Sequence, residues 1–300
     1  MTDPASDDVH SFGSERLQVT VAADGAEPVS LQTGSGRELL WQAGPEWPRH
    51  APMLFPIVGR LANDTLLHEG HRFHMTQHGF ARDRRFEWIE RSPSGCRLAL
   101  ADDAASRAIY PFAFRLEVEY RVEEDLLSVE YRIGNPGDVV LPASIGAHPA
   151  FRWPLADDLP KDAHRLVFKG PEPAPVRRVL GGLLREAPEP TPIERRVLKL
   201  ADALFVADAV ILDRLASDAV TYDAGGDGPA LRIAWHGMTQ LGIWSKPGAD
   251  FLCIEPWHGY ASPEGYSGDL LEKPGMMLLP AGTQRELQWT VRLLPPDSGT

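Results

Sequence analysis

The sequence predicts an all-β protein: a large, curved antiparallel β sandwich with few short helices. Three observations predict it. First, Phe114, Leu116, Val118, Tyr120 and Val122 alternate with Arg115, Glu117, Glu119 and Arg121. After the acidic turn Glu123-Glu124-Asp125, Leu127, Val129, Tyr131 and Ile133 alternate with Ser128, Glu130 and Arg132. Period-two alternation on both sides of a turn is the pattern of an antiparallel hairpin with one wet face. Second, helical periodicity is weak throughout. Third, 27 Gly and 27 Pro supply turns for many short strands.

In chain order, residues 1–15 are expected to be a flexible, polar arm. Residues 16–300 are expected to form one domain, a size within the range of large β sandwiches. Strands are expected at Leu17 to Ala22, Val29 to Thr33 and Glu38 to Trp41, then in the hairpin. Further strands are expected at Arg165 to Phe168, Ala219 to Tyr222, Leu231 to Trp235, Leu241 to Trp244, Phe251 to Ile254 and Glu286 to Leu294. Short helical turns are expected near Leu155 to Lys161 and Glu194 to Ala203. The Pro-rich stretch from Pro171 to Pro192 has strands on both sides, so it reads as an excursion within the domain. No internal repeat is visible.

The net charge of -12 excludes a general nucleic-acid binder, which needs a basic face. Two distant cysteines, Cys96 and Cys253, make neither a disulfide framework nor a metal spacing, and both are expected reduced and buried. The polar N-terminus does not resemble a signal peptide, and no apolar run reaches the roughly 20 residues of a membrane span. A soluble, cytoplasmic protein is expected. There is no P-loop, no dinucleotide-binding glycine pattern and no G-x-S-x-G elbow. The histidines lack H-x-H and H-E-x-x-H spacing, so no metal and no cofactor are expected.

Four segments set polar residues among apolar ones or among Gly and Pro. They are 55–63 (FPIVGRLAN), 77–82 (QHGFAR), 145–151 (IGAHPAF) and 253–259 (CIEPWHG). Glu255 ends an apolar run, and Pro256 is expected to stop the strand just after it. The carboxylate there is either a charge at a wet strand end or a general base, with Trp257 as a flat wall beside it. His148, between Ala147 and Pro149, is either a satisfied core histidine or a proton donor working near neutral pH. His78 is similar, with Gly79 allowing close approach. Arg60 and Arg82 are either surface ion-pair partners or hydrogen-bonding forks for a ligand.

Taken together and in order, these segments resemble the aldose 1-epimerase (galactose mutarotase-like) superfamily. The nearer resemblance is to a bacterial branch with the signatures H-G-F-A-R and I-E-P-W-x-G, here residues 78–82 and 254–259. It runs from about Leu17 to Leu294. The resemblance implies a β supersandwich and an enzyme that interconverts the α and β anomers of a hexose. It implies His148 as general acid, Glu255 as general base, and Arg60, His78 and Asp208 as sugar-binding residues. Arg82 and Trp257 are placed beside them, and Asp213 is a rival to Asp208. It implies no cofactor, a small sugar as the only partner, and a monomer or homodimer. Glu255 would take the C1 hydroxyl proton and His148 would give one to the ring oxygen, so the histidine pKa is expected above the working pH and the carboxylate below. The residues around His78 and His148 differ from those of the well-known galactose mutarotases, so the sugar stays open. One alternative is a hexose 6-phosphate epimerase using Arg82, Arg84 and Arg85. The other is a sugar-binding protein without turnover.

Overall fold

Nine antiparallel strands form the largest sheet. From edge to edge they are Val197–Lys199, Arg165–Phe168, Ala219–Asp223, Ala230–His236, Gln284–Leu294, Leu126–Gly134, Arg115–Glu123, Gly95–Ala101 and Glu87–Ser92. The computed structural model describes residues 8–156, 158–225 and 228–295. At the centre of the sheet is the expected hairpin. Leu116, Val118, Tyr120 and Val122 are buried on one face, and Leu127, Val129, Tyr131 and Ile133 pair alongside them. On the other face Arg132 lies among Glu117, Glu130 and Glu286. The buried tyrosines keep their hydroxyls satisfied: Tyr110 donates to Pro142 O, Tyr120 to Ala26 O and Tyr222 to Arg152 O, while Tyr131 accepts from Trp289 Nε1.

The second large sheet carries the functional residues. Its strands are β1 (Met53–Leu54), β2 (Ile145–Ala147), β3 (Ala150–Arg152), β4 (Val210–Leu212), β5 (Gln240–Trp244) and β6 (Phe251–His258). The order is β4-β5-β6-β2-β1, and β3 also pairs with β6. Alternation sorts its residues between two faces. Met53, Ile145, Ala147, Val210, Leu241, Ile243, Leu252 and Ile254 join the apolar cluster that also holds the inward residues of the nine-stranded sheet. Leu54, Ile211 and Trp257 pack separately on the opposite face.

Several expectations are corrected. The segment Val9–Gly13 is a strand paired with Leu17–Ala22, and Phe12 is buried, so this part of the expected arm is built into a sheet. Residues 1–7 lie outside the described residues. Glu38 and Leu40 make only isolated bridges instead of a strand. Within 194–203, Val197–Lys199 is an edge strand and only the 3-10 turn Asp202–Phe205 begins there. Near 155–161 the 3-10 turn is Lys161–Ala163, and residue 157 lies outside the described residues. Strand β6 does not end at Glu255 but continues through Pro256, which sits opposite Leu241. The neighbouring strand on the other side is interrupted there, so no ladder bond asks for the missing N–H. Among the described residues no helix is long and apolar enough to cross a membrane.

Phe114 is fully buried among Phe55, Phe80 and Tyr110. Phe114→Ala is therefore expected to lower unfolding stability by about 3–5 kcal/mol in denaturant titrations. A loss below about 1 kcal/mol would show that this aromatic cluster is not well packed.

Candidate active site

The outer face of the six-stranded sheet floors a cleft of about 380 Å³, within the size range of small-molecule sites. Two breaks in regular pairing build it. On one side of β6, β2 pairs Ile145 with His258 and Gly146 with Trp257, while β3 pairs Ala150 with Cys253 and Phe151 with Leu252. The register is the same above and below the gap. His148 therefore falls directly opposite Glu255, where cross-strand side chains on one face meet. Pro149 and Pro256 flank the gap and have no N–H to close it. The bond that remains is Ile254 N–H donating to Pro149 O at 3.3 Å, and His148 N–H donates away, to Pro52 O.

Across this gap His148 Nε2 lies 3.2 Å from Glu255 Oε2. The contact is at ion-pair distance, yet Glu255 Oε2 has no hydrogen-bond partner among the described residues. Both residues are buried. Burial pushes the Glu255 carboxyl well above the usual range, and the negative charge of Asp208 adds to the effect while Trp257 opposes it. Burial pushes His148 down to about 3. This reverses the expected ordering of histidine above and carboxylate below. Each group loses water on entering the sheet, and desolvation favours the uncharged form of both. The pair therefore titrates as a unit, with one proton between two sites over a broad pH range.

The second break joins the Phe55 and His78 segments. Phe55 N–H donates to His78 O, Phe80 and Ala81 N–H donate back to Phe55 O, and His78 N–H donates to Gly59 O. A Cβ on Gly79 would lie 2.2 Å from Phe55 O, and the residue has a φ of +70°, so only glycine fits. His78 is itself at φ 69°, an unusual backbone state for a histidine. Gly59 N–H donates to His78 Nδ1 at 3.1 Å. That bond assigns the neutral ring proton to Nε2, beside the Gln77 amide. Burial, with the nearby His148, Arg82 and Arg49, holds His78 well below its ordinary pKa. His78 is thus a neutral donor.

Of the remaining expected residues, Arg60, Arg82, Asp208 and Trp257 all line the cleft. Arg60 spends Nε and Nη2 on Asp64, both at 2.6 Å, and Nη1 lies 3.5 Å from Gly181 O. Arg82 donates Nη2 to Gln77 O, its Nε lies 3.8 Å from Asp83 Oδ2 with no hydrogen bond, and burial lowers it to about 10. Asp208 accepts from Ala209 N–H through Oδ1. Asp213, the rival, pairs with Arg177 and does not line the cleft. The Trp257 indole lies across the sheet where Gly146 and Gly242 leave room; a Cβ on either would come within 2.4 Å of the ring. Two aromatics were not foreseen. Trp47 stacks on His148 at 4.9 Å, and Trp244 meets it edge-on at 6.0 Å. The only sequence signal was the abundance of Trp, 8 residues, which does not say which ones converge. Val179, Gly181 and Gly182, from the Pro-rich excursion, form part of the rim.

Arg82 Nε, His148 Nδ1, Glu255 Oε2 and Trp257 Nε1 are buried polar atoms with no hydrogen-bond partner among the described residues. Such atoms are costly unless something pairs with them, and their convergence marks a site for a polar ligand. The Cys253 thiol lies with His148 and Glu255, their ligand atoms within 4.8 Å, the one group of described residues able to offer a metal three ligands. Burial and Glu255 push that thiol well up, which disfavours the thiolate that a metal requires.

The family model for aldose 1-epimerase matches residues 8–265. The chain belongs to the aldose 1-epimerase family. Protein LacX of Lactococcus lactis subsp. lactis is 30% identical over 286 residues, 91% of this chain and 95% of LacX. A galactose mutarotase-related enzyme from Lactobacillus acidophilus superposes with a TM-score of 0.89 at 29% identity, covering 97% of this chain and 99% of that one. A galactose mutarotase-like protein from Lactobacillus casei gives 0.88 at 27% identity, covering 95% and 100%. The expected supersandwich is the fold of this epimerase family.

The buried carboxyl has a consequence for stability. A carboxyl whose folded pKa is raised contributes stability below its unfolded pKa and loses it as pH climbs toward the folded value. The lowered His148 acts oppositely, but only below its unfolded value of about 6.5. Above about pH 7, where the histidine no longer contributes, the wild-type protein is therefore expected to lose stability relative to Glu255→Gln as pH rises toward the raised carboxyl pKa, by up to roughly 1 kcal/mol per unit. Melting curves of both proteins across that range check it, and parallel curves would contradict the buried, raised carboxyl.

Proposed function

We propose that this protein is an aldose 1-epimerase that interconverts the α and β anomers of a free hexose. The observation that carries the reading is the 3.2 Å approach of His148 Nε2 to Glu255 Oε2 on the floor of a sugar-sized cleft. Opening a hemiacetal removes the proton from O1, forms the C1=O1 bond, breaks C1–O5 and delivers a proton to O5. The two oxygens sit on one carbon, so the base and the acid must be neighbours. Residues opposed across a strand gap meet that requirement.

Glu255 takes the O1 proton and His148 gives one to the ring oxygen. For this the proton shared by the pair resides on His148 when the sugar is bound. Burial favours it on Glu255 in the empty cleft, and a 3.2 Å transfer between the partners interconverts the two arrangements. Rotation about C1–C2 presents the other face of the aldehyde, and closure reverses the roles. His78 Nε2–H donates to a sugar oxygen, Asp208 accepts from a hydroxyl, and Arg60 and Arg82 supply further donors. Trp257, with Trp47 and Trp244, gives the ring apolar surfaces. The free, buried thiols Cys96 and Cys253 are consistent with a cytoplasmic setting.

The hexose 6-phosphate alternative rests on Arg82 alone among the three arginines named for it. Arg84 lies over the Phe80 ring and Arg85 faces Asp8 and Asp24. A protein that only bound sugar would gain nothing from an acid–base pair held at contact distance.

Saturation-transfer NMR of glucose, galactose and their 6-phosphates distinguishes these readings. Wild type is expected to exchange the anomers of a free hexose, and Glu255→Gln to lose about 10²–10⁴-fold. Equal exchange by both proteins would reject the enzyme. Exchange confined to the phosphorylated sugars and abolished in Arg82→Ala would replace the free hexose as substrate. A pH profile gives a separate check. With His148 lowered to about 3 and the carboxyl raised, activity is expected to show no midpoint near the ordinary histidine value of about 6.5. A midpoint near the ordinary histidine value would contradict the pairing.

A further inference from the structure

Behind the turn that carries Arg60 lies a second cleft of about 240 Å³. Consecutive residues line the two clefts at two places. Arg60 and Ala261 face the catalytic cleft, and their neighbours Leu61 and Ser262 face the second one. Its polar lining is Lys273, Arg72, Ser262, Ser267, Asn63, Thr65 and Tyr266, and no carboxylate side chain lines it. That is an unusual composition in a chain of net charge -12.

Neither cation has an ion-pair partner among the described residues. Lys273 is 3% exposed, and lysine is rarely so buried unless paired. Its ammonium donates to the carbonyls of Tyr260 at 2.6 Å and Pro274 at 3.3 Å and lies 5.4 Å from the Tyr260 ring centroid, which leaves one of three protons without a hydrogen-bond acceptor. Burial lowers it to about 8, with no opposite charge offsetting the shift. Arg72 is exposed on the Thr65–His68/His71–His74 hairpin and forms no ion pair among the described residues. Of the acids around the cleft, Asp64 is engaged by Arg60, Asp269 by His68 and the N–H groups of Glu69 and Leu271, and Glu272 acts on the Tyr266 hydroxyl.

We propose that this second cleft binds a small oxyanion of the phosphate class, held between Lys273 and Arg72 with the Ser262 and Ser267 hydroxyls as further donors. Charge-assisted hydrogen bonds to phosphate oxygens are the contacts these groups make best. The phosphate is either free or the phosphoryl group of a larger molecule.

Calorimetric titration of the full chain with inorganic phosphate and with glucose 6-phosphate tests the site. Saturable binding at one site is expected, weakened at least about tenfold by Arg72→Gln and by Lys273→Met, and unchanged in Glu255→Gln. Arg72 is exposed, so its variant carries the test if Lys273→Met fails to fold. Tighter binding of the sugar phosphate, still lost in Arg72→Gln, identifies a phosphoryl group of a larger ligand; equal binding identifies free phosphate. No saturation, binding that survives Arg72→Gln, or displacement of phosphate by free hexose would overturn the proposal.

Discussion

The gap in pairing between β6 and its neighbours β2 and β3 is the constraint on which the site depends. An unbroken ladder would tie every N–H on that side of β6 to a carbonyl. Here Pro149 and Pro256 withhold two donors while the register continues unchanged on both sides. The chain stays in line but opens locally. His148 and Glu255, 107 positions apart in sequence, are thereby cross-strand partners on the face turned away from the main core. Loops need not hold either group, so their separation is fixed by sheet geometry, the more rigid of the two supports.

Burial then sets their chemistry. Two ionisable groups placed on a dry sheet face both lean toward neutrality, and proximity makes them compete for one proton. The aromatic surround of Trp47, Trp244 and Trp257 excludes water from the same spot. The glycines under Trp257 belong to this arrangement, since a larger residue at Gly146 or Gly242 would lift the indole into the cleft. The unpaired polar atoms that line the cleft are a ligand's hydrogen bonds in waiting, and the protein bears their desolvation until one arrives.

Much of this was legible in the sequence wherever local pattern and tertiary role coincide. The 114–133 hairpin alternates because one face is wet, so its strands and turn could be read directly. The Glu87–Ser92 and Gly95–Ala101 strands could not. The first is an exposed edge, and the second is buried on both faces in part, so neither alternates cleanly. Pro256 misled for a related reason: proline rules assume a paired neighbour, and here that neighbour is interrupted. His148, Glu255 and His78 each sit in a short distinctive segment, so the sequence singles them out; Asp208 does not, and enters only through the family resemblance, with Asp213 as a rival. Trp47 and Trp244 were not found, because an aromatic in a loop or at a strand end carries no periodic signal. The direction of the pKa shifts was missed because solvent exclusion is a property of the assembled cleft.

The central claim is that His148 and Glu255 share one proton. The most direct measurement is the ring ¹⁵N chemical shifts of His148, followed by NMR across pH in the sugar-free protein. A neutral imidazole from about pH 5 to about pH 8 is the result this account requires. An imidazolium that titrates near the ordinary histidine value of about 6.5, as an independent surface group would, contradicts it.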